Sequence, residues 1–368
     1  MSTEIRNVPF LRLAVNDVSH KRELLGAVER VLDHGRIVRG PEVDQFEAQV
    51  ATLSKRRFAV GVSSGTNALY LALKVLGLAR GDEVITTSLS WIATMNAIAA
   101  TGAMPVCIDI RDDLNMDPEA FEAALTPRTR AVVVVHYTGL MCDMDAILKI
   151  AAKAGIAIVE DAAQAFGATL RGRPAGNFGA LAAVSMNPMK VLRAYGDAGV
   201  VLTDDPAHVS HLNRIVYAGV VDKERCVEIA LNSRMDTIQA AMLLVNIDRL
   251  DALIERRRSI AARYTSRLSD VVVCPKESQD SRHVYYTYTI LADDRDRLKV
   301  ALEGQGIETK IQHPILMPEQ PAYAHLPSGQ WGNARRLRDR ILCLPAHEDL
   351  DADSQDYVIK CVRGFYGR

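Results

Sequence analysis

The chain has 368 residues, of which 48% are hydrophobic and 24% charged, a balance typical of a globular protein with a sizeable core. Its 44 lysines and arginines nearly cancel its 45 aspartates and glutamates, so the net charge of −1 gives no reason to expect nucleic acid or a membrane surface as a partner. No apolar run of about 18 residues predicts a membrane span, and the first residues do not predict a signal peptide.

From about residue 58 onward, predicted strands alternate with predicted helices. The strands are expected at 58–64, 82–88, 104–110, 131–137, 156–161, 181–186 and 199–204. Helices are expected between the first five of them, at 66–78, 91–102, 117–125 and 143–155. Continuous apolar strands separated by amphipathic helices predict an α/β fold, in which a mainly parallel sheet is flanked by helices on both faces.

The pattern changes near residue 230. Residues 235–268 predict one long helix or two in series, and the segments after it predict strands at 284–293 and 309–312 and helices at 296–307 and 351–366. These shorter elements indicate a smaller C-terminal α+β domain. We therefore divide the chain into a large α/β domain at 1–233, linking helices at 234–268 and a small domain at 269–368.

Ligands of open parallel sheets bind outside the carboxyl ends of the strands, and three polar features fall at such ends. The first is "SSGTNAL" at 63–69, where a strand ends in small residues and a helix begins. Free N–H groups and hydroxyls at a helix N-terminus can hold a phosphate. Without a ligand, the same residues would form an ordinary helix cap.

The other two features are carboxylates and a lysine. Glu160 and Asp161 end a buried strand in "VEDAAQAFGA", which is a costly position for a charge without a partner. Lys190 lies in "SMNPMKVLR", with Met186 and Met189 close by. Apolar surroundings lower the pKa of a lysine, and the neutral amine can form a Schiff base. Each feature also has a plain alternative, a helix cap for the carboxylates and a surface lysine with a buried stem.

The three features together match the needs of pyridoxal 5′-phosphate (PLP). A phosphate cradle, a carboxylate that keeps the pyridine nitrogen protonated and a lysine that binds the aldehyde are the groups with which proteins hold this cofactor. Trp91, just after the second predicted strand, can stack on the cofactor ring or belong to the core. The combination predicts a PLP site.

The chain resembles the DegT/DnrJ/EryC1/StrS aminotransferases over nearly its whole length. The resemblance is carried, in order, by "VGVSSGTNALYLAL", "GDEVITTS", "AATGAMPVCIDI", "VEDAAQAFGA", "AYGDAGVVLTDD" and "NSRMDTIQAAML". It implies the aspartate aminotransferase-like fold (fold type I) of PLP-dependent transferases. It also implies PLP as the cofactor, joined to Lys190 as a Schiff base.

The resemblance also implies individual roles. Lys190 and Asp161 are the catalytic residues, and no metal is expected. The cofactor-binding residues are Gly65, Thr66, Trp91, Asp161, Gln164, Ser185, Lys190 and Asn232. Asn232 matches an asparagine that reaches the cofactor phosphate of the partner subunit. A homodimer with an active site shared between subunits is therefore implied.

The implied reaction is a ping-pong transamination in amino-sugar biosynthesis. An amino acid, usually glutamate in this family, gives its amino group to a keto-sugar, most often a nucleotide-linked keto-deoxysugar. The substrates are small molecules, and neither nucleic acid nor a membrane is expected. The six cysteines (Cys107, Cys142, Cys226, Cys274, Cys343 and Cys361) are scattered without a C-x-x-C pair, which fits a cytoplasmic protein.

Three other functions are considered beside this one. A cyclitol (keto-inositol) aminotransferase would use the same residues. The dehydratase branch of the family has histidine at the position of Lys190, so the lysine argues against it. A non-catalytic PLP-binding regulator is disfavoured, because the sequence has no separate DNA-binding domain.

Several residues near the site depart from the family pattern. They are Met186, Asn187, Met189 and Arg193 in "MNPMKVLR", and Gln312 and His313 in "QHP". Arg193 is expected either to meet an acidic or phosphorylated substrate or to lie in solvent. His136, His283 and His313 are expected either to face the acceptor sugar or to be structural histidines.

Overall fold

The structure is a computed structural model that describes residues 5–368. In this part of the chain its helices are α1 (Val18–His34), α2 (Pro41–Leu53), α3 (Gly65–Lys74), α4 (Ala93–Ala100), α5 (Pro118–Ala123), α6 (Met144–Ala154), α7 (Pro206–Val216), α8 (Thr237–Ile247), α9 (Leu250–Leu268), α10 (Arg295–Glu303), α11 (Gly332–Arg338) and α12 (Ala352–Phe365). Three short 3₁₀ turns lie at Tyr137–Gly139, Met317–Glu319 and Pro321–Tyr323.

The strands of the described residues form one large sheet and three small ones. They are β1 (Phe58–Val62), β2 (Glu83–Thr87), β3 (Met104–Ile108), β4 (Thr129–Val135), β5 (Ala157–Asp161), β6 (Thr169–Leu170), β7 (Arg173–Pro174), β8 (Leu181–Ser185), β9 (Gly199–Thr203), β10 (Val220–Val221), β11 (Arg225–Cys226), β12 (Ser281–Arg282), β13 (Tyr288–Leu291) and β14 (Ile341–Leu344). The large sheet has seven strands in the order β1-β9-β8-β5-β4-β2-β3.

The large sheet is mainly parallel, as predicted. β3, β2, β4, β5 and β8 pair in parallel, whereas β9 is antiparallel to both β8 and β1. The carboxyl ends of β1, β5 and β8 therefore lie on the same edge of the sheet, where Gly199 at the start of β9 pairs with both Val62 and Ser185. This edge is where the predicted site residues converge.

Helices cover both faces of the sheet because its strands are apolar on both sides. In β4, Val132 and Val134 pack into one buried cluster, whereas Ala131 and Val133 pack into another. Successive residues of a strand point to opposite faces, so a run of apolar residues needs a cover on each. The α/β architecture with flanking helices is confirmed.

The C-terminal part, residues 269–368, corrects two sequence predictions. The strand expected at 309–312 is absent from the described structure, where Lys310 forms only an isolated bridge with Cys343. The chain leaves the extended conformation at His313, whose φ is 53°, and Pro314 has no N–H to donate, so the ladder cannot continue. The strand expected at 284–293 shortens to β13, which pairs with β14, an element the sequence patterns did not indicate.

Residues 235–268 form two helices, α8 and α9, the second of the two arrangements expected. Helix α9 contributes Ile260, Ala261 and Tyr264 to a buried cluster with Tyr288 of β13. The division into domains at 233 and 268 stays a prediction. No described helix is long and apolar enough to cross a membrane.

Candidate active site

A cavity of about 270 Å³ opens at the carboxyl ends of β1, β5 and β8. Of the predicted site residues, it is lined by Gly65, Thr66, Trp91, Asp161, Gln164, Ser185 and Lys190. Asn232 does not line it. The structure therefore brings together every predicted residue except the one expected to act in a partner subunit.

The first wall is the turn from β1 into α3. Ser64 caps the helix, since its Oγ accepts a hydrogen bond of 3.2 Å from the N–H of Asn67. Within residues 5–368, the N–H groups of Gly65 and Thr66 donate to no acceptor. A Cβ at Gly65 would collide with the Ser185 side chain and lie 2.7 Å from its Oγ. Glycine therefore lets the helix N-terminus and the Ser185 hydroxyl share one small, anion-binding space.

Asp161 ends β5 and is buried at the floor of the cavity. Its Oδ2 accepts a hydrogen bond of 2.9 Å from the Thr94 hydroxyl, and its Oδ1 accepts one of 3.2 Å from the N–H of Ala163. Burial raises the pKa of Asp161, although these two bonds and the charge of Lys190 act in the opposite direction. A buried carboxylate of this kind suits a cationic ring nitrogen as its partner.

Glu160, the other carboxylate at this strand end, points to the opposite face of the sheet. It accepts a hydrogen bond of 3.0 Å from His136 and lies 3.9 Å from the Arg56 guanidinium. It also accepts backbone N–H groups from Gly176, Phe178 and Gly179 at 2.6 to 2.8 Å. Because adjacent strand residues alternate between faces, only Asp161 is available to the cavity.

Lys190 lies in the turn after β8, where its N–H donates a 2.8 Å bond to the carbonyl of Asn187. Its Nζ lies 4.4 Å from the centroid of the Tyr286 ring. Burial lowers the pKa of Lys190 to about 8, although the charge of Asp161 opposes the shift. A lysine with this pKa is partly neutral near pH 7 and is therefore nucleophilic.

Gln164 and Trp91 lie on two further sides of the cavity. The buried Gln164 accepts a 2.9 Å hydrogen bond from the N–H of Thr138 at its Oε1, so its amide group is held in one orientation. Trp91 is 61% exposed and its ring centroid lies 6.0 Å from that of His313. Trp91 is thus not a core residue, and its ring is free to stack on a ligand.

Of the three histidines considered from the sequence, His313 lines the cavity. Its Nδ1 lies 3.0 Å from the Tyr137 hydroxyl, and burial lowers the pKa of His313 to about 3, so it is neutral at working pH. His136 is fully buried against Glu160, and His283 stacks on Tyr285 outside this cavity. The last two do not line this cavity.

Arg193 takes neither of the positions expected for it. Its guanidinium is mostly buried and forms an ion pair with Glu348, which also binds Arg257 at 2.9 Å. It also donates a 3.2 Å hydrogen bond to the carbonyl of Arg12. A guanidinium committed to these partners has little capacity left for a substrate.

Three residues of the cavity carry no sequence signal that marks them as functional: Thr94, Tyr286 and Lys310. Thr94 has the pattern of an ordinary helix residue, and Tyr286 lies in an alternating strand-like segment. Lys310 belongs to a segment predicted as a strand, where a lysine suggests a solvent-facing position. Gln312, which the sequence marks only as a departure from the family pattern, lines the cavity as well.

Asn232 is exposed and lies after the hairpin of β10 and β11. Its Oδ1 accepts a 3.4 Å hydrogen bond from the N–H of Arg234. Beside it, Ile229 and Leu231 are 90% and 74% exposed. The segment thus presents an amide and two large apolar side chains to the outside of the chain.

The donors and acceptors of the cavity fit PLP. Open N–H groups beside the Ser185 hydroxyl suit a phosphate, the buried Asp161 suits a protonated pyridine nitrogen, and the lysine amine suits an aldehyde. Gln164 has an amide group left to donate to a ring oxygen, because its carbonyl is bonded to Thr138. No group that lines the cavity contradicts this fit within the described residues.

Comparisons with known proteins agree with this interpretation. The DegT/DnrJ/EryC1/StrS aminotransferase family model matches residues 18–363. The chain is 39% identical over 365 residues to the dTDP-3-amino-3,4,6-trideoxy-alpha-D-glucose transaminase of Streptomyces venezuelae, with 98% of this chain and 96% of that protein covered. It is 38% identical over 367 residues to a pleiotropic regulatory protein of Geobacillus stearothermophilus, with 98% and 99% covered.

Among solved structures, ntda from Bacillus subtilis with bound cofactor PMP superimposes with a TM-score of 0.92 at 30% identity. The match covers 100% of this chain and 87% of that chain. The fold predicted from the resemblance, that of PLP-dependent transferases of fold type I, is thereby confirmed.

Proposed function

Because the chain belongs to the DegT/DnrJ/EryC1/StrS aminotransferase family, we propose that it transfers an amino group from glutamate to a nucleotide-linked keto-deoxysugar in amino-sugar biosynthesis. It is a PLP-dependent aminotransferase. The observation that carries the proposal is the position of Lys190, Asp161 and the open turn at Gly65 around one cavity.

We assign the following work to the residues of the cavity. The N–H groups of Gly65 and Thr66 and the Ser185 hydroxyl bind the cofactor phosphate, and Trp91 covers the ring. Asp161 holds the proton on the ring nitrogen, and Gln164 donates to the ring oxygen. When bound, PLP supplies an electron sink for negative charge at the α-carbon of the amino donor.

Lys190 has two tasks in this assignment. Its neutral Nζ would hold the cofactor through the aldehyde, and as a free amine the same Nζ would accept the proton from the donor's α-carbon. The pKa of about 8 keeps the amine able to do both near neutral pH. The acceptor half-reaction uses the same groups in reverse order.

We further propose a homodimer in which Asn232 of each protomer reaches the cofactor phosphate of the other. Support comes from the exposure of Asn232 and from the apolar surface beside it, at Ile229 and Leu231. Large exposed apolar side chains in one patch mark interaction surfaces. The six unpaired cysteines favour a reducing compartment, and we place the enzyme in the cytoplasm.

Two other functions compete with the proposal. A keto-inositol acceptor would use the same catalytic groups, and only the second substrate differs. A regulatory role without catalysis draws support from the relative in Geobacillus stearothermophilus, whose name is that of a regulator. A regulator would also hold PLP through Lys190, so what separates the two functions is whether an amino donor changes the spectrum of the bound cofactor.

The test is the absorption spectrum of the purified protein with PLP, recorded before and after glutamate is added. We expect a visible band of the lysine-linked cofactor that disappears with glutamate and returns with a nucleotide-linked keto-sugar. Lys190→Ala should lack the first band and all turnover. A visible band that no amino acid changes would favour the regulator, and a band restored only by keto-inositol would favour the cyclitol acceptor.

A further inference from the structure

Lys310 brings a second amine to the cavity from the C-terminal part of the chain. Its backbone is fixed by two hydrogen bonds with the buried Cys343, of 3.1 and 2.8 Å. Two carboxylates line the cavity, Asp161 and Asp197, and within residues 5–368 neither these nor any other carboxylate forms an ion pair with Lys310. The Lys310 ammonium group is thus held at the site without a counter-ion of its own.

The charge of Lys310 acts on two side chains of the cavity, Tyr286 and His313. Burial raises the pKa of Tyr286, and the nearby Lys310 charge acts against that shift. Burial lowers the pKa of His313, with further lowering by the charges of Lys190 and Lys310. The Lys190 Nζ also lies over the Tyr286 ring, 4.4 Å from its centroid. Lys310 and Lys190 thus both line the cavity beside Tyr286, which lines it as well.

None of the cofactor contacts proposed above involves Lys310. The phosphate-binding turn at Gly65 and the carboxylate of Asp161 both belong to the N-terminal part of the chain, on the large sheet. An amino donor carries its α-carboxylate on the carbon that bears the reacting nitrogen. That carboxylate must therefore lie within a few bonds of the place that the Lys190 Nζ vacates.

Resting on the function proposed above, we infer that Lys310 binds the α-carboxylate of the amino donor. An ammonium group in a partly water-excluded cavity holds a carboxylate by a charge-assisted hydrogen bond. The bond forms when the donor binds and persists while its α-carbon loses the proton. Loss of the bond should therefore raise the donor's KM more than it lowers kcat.

The first experiment follows the donor half-reaction of the PLP-loaded enzyme by its visible absorption under single-turnover conditions. For Lys310→Met we expect kcat/KM with L-glutamate to fall about 10- to 100-fold, the range for a lost hydrogen bond between charged groups. Lys310→Arg should recover part of the loss. Lys276→Met removes an exposed lysine of the same part of the chain and should react like the wild type.

Two neutral analogues identify the carboxylate involved. L-isoglutamine has an amide in place of the α-carboxylate, and L-glutamine has one in place of the side-chain carboxylate. The wild type should prefer glutamate to isoglutamine, and Lys310→Met should lose that preference. The preference for glutamate over glutamine should be the same in both enzymes.

A binding measurement complements the rates. 2-Oxoglutarate, titrated against the PLP-loaded enzyme, should perturb the cofactor spectrum with a higher Kd for Lys310→Met than for the wild type. If Lys310→Met reacts with glutamate like the wild type but with the keto-sugar more slowly, the inference is overturned, and Lys310 binds the acceptor instead. A wild type that does not react with glutamate would overturn the proposed function itself, which separates the two failures.

Discussion

Lys190 illustrates how few neighbours are needed to change the chemistry of a side chain. Its amine is buried beside the Tyr286 ring, and the opposing charge that acts on it is the carboxylate of Asp161. Burial disfavours the ammonium form more strongly than Asp161 favours it, so the pKa of Lys190 falls from 10.5 to about 8. The side chain is thus a better nucleophile at neutral pH than a surface lysine.

The pKa of Lys190 sets a pH dependence for cofactor capture by the cofactor-free protein. Only the neutral amine attacks the aldehyde, so the rate should rise about tenfold per pH unit below the midpoint and level off above it. The midpoint is expected at about 8, with Asp161, His313 and Lys310 as the charged or titratable neighbours. The measurement is PLP incorporated at Lys190 after borohydride reduction, across a range of pH.

Asp161→Asn supplies the control for this profile. Removing the carboxylate removes the one interaction that raises the pKa of Lys190, so the midpoint should move below 8. A wild-type midpoint near 10.5 would show that burial does not lower the pKa of Lys190. An unchanged midpoint in Asp161→Asn would show that the Asp161 charge does not raise it.

The two adjacent carboxylates of strand β5 have different roles: Glu160 stabilises the fold, and Asp161 belongs to the site. Glu160 gathers three backbone N–H groups, His136 and Arg56 on one face, whereas Asp161 faces the cavity on the other. The loop at 176–179 is thereby tied to the strand that carries Asp161. The site at one face of β5 depends on this polar anchor at the opposite face.

Glu160→Gln should therefore destabilise the protein by about 1.5–3 kcal/mol, the cost of losing a hydrogen bond to a buried charged group. The Gln amide nitrogen would face backbone N–H donors, whereas Arg56 would keep its ion pair with Asp204. Chemical denaturation measures the effect. Asp204→Asn, which breaks the half-exposed ion pair of Arg56 at 2.7 Å, should cost only about 1 kcal/mol.

The effect of Glu160→Gln on stability should also depend on pH. Burial alone would raise the pKa of Glu160, but the bonds from His136, Gly179 and Gly176 bring it below its ordinary value of 4.5. A carboxyl group with a lowered pKa stabilises the fold above its unfolded pKa, and that stabilisation is lost as pH falls through the folded value. The stability gap between wild type and Glu160→Gln should therefore shrink below pH 4.5, and a gap independent of pH would refute this role.

The contact between α3 and β8 has room only for glycine at position 65. Gly65→Ala should raise the Kd for PLP at least about tenfold, because the new methyl group displaces Ser185 from the phosphate-binding turn. The Kd is measured by titration of the cofactor-free protein. The control is Gly26→Ala in α1, where the new Cβ would meet only the Arg30 side chain at 3.8 Å, and it should leave the Kd unchanged. Equal affinities in both variants would exclude the turn as the phosphate site.

At the scale of the whole molecule, the cavity draws on distant parts of the chain. Tyr286, Lys310 and His313 come from the C-terminal part and close over the residues that end β1, β5 and β8. β13 and β14 pack on α9 in one buried cluster. The segments beside them contact the loop after β4, where the Val284 N–H donates to the Gly139 carbonyl and the Tyr137 hydroxyl lies 3.0 Å from His313. Substrate contacts on this side therefore depend on packing between the two parts.

The proposed dimer gives a prediction at the same scale. Leu231→Glu places a charge in the exposed apolar segment and should shift the protein to monomers in size-exclusion chromatography. Asn232→Ala should leave the dimer intact and raise the Kd for PLP. Val300→Glu, at another exposed apolar residue, should change neither property. A monomeric Leu231→Glu variant that retains PLP like the wild type would contradict the shared site.

The sequence by itself determined the sheet, its helical cover and the residues at the carboxyl ends of its strands. These follow from local patterns: apolar runs, helical spacing, and the Gly65 turn, Asp161 and Lys190 at strand ends. The tertiary structure decided which groups meet them. In it, Arg193 forms an ion pair with Glu348, and Glu160 lies near Arg56 on the face of β5 opposite Asp161. Lys310 and Tyr286 line the cavity. The contacts of Arg193 with Glu348 and of Glu160 with Arg56 join residues over a hundred positions apart, and they depend on packing between elements that no local pattern records.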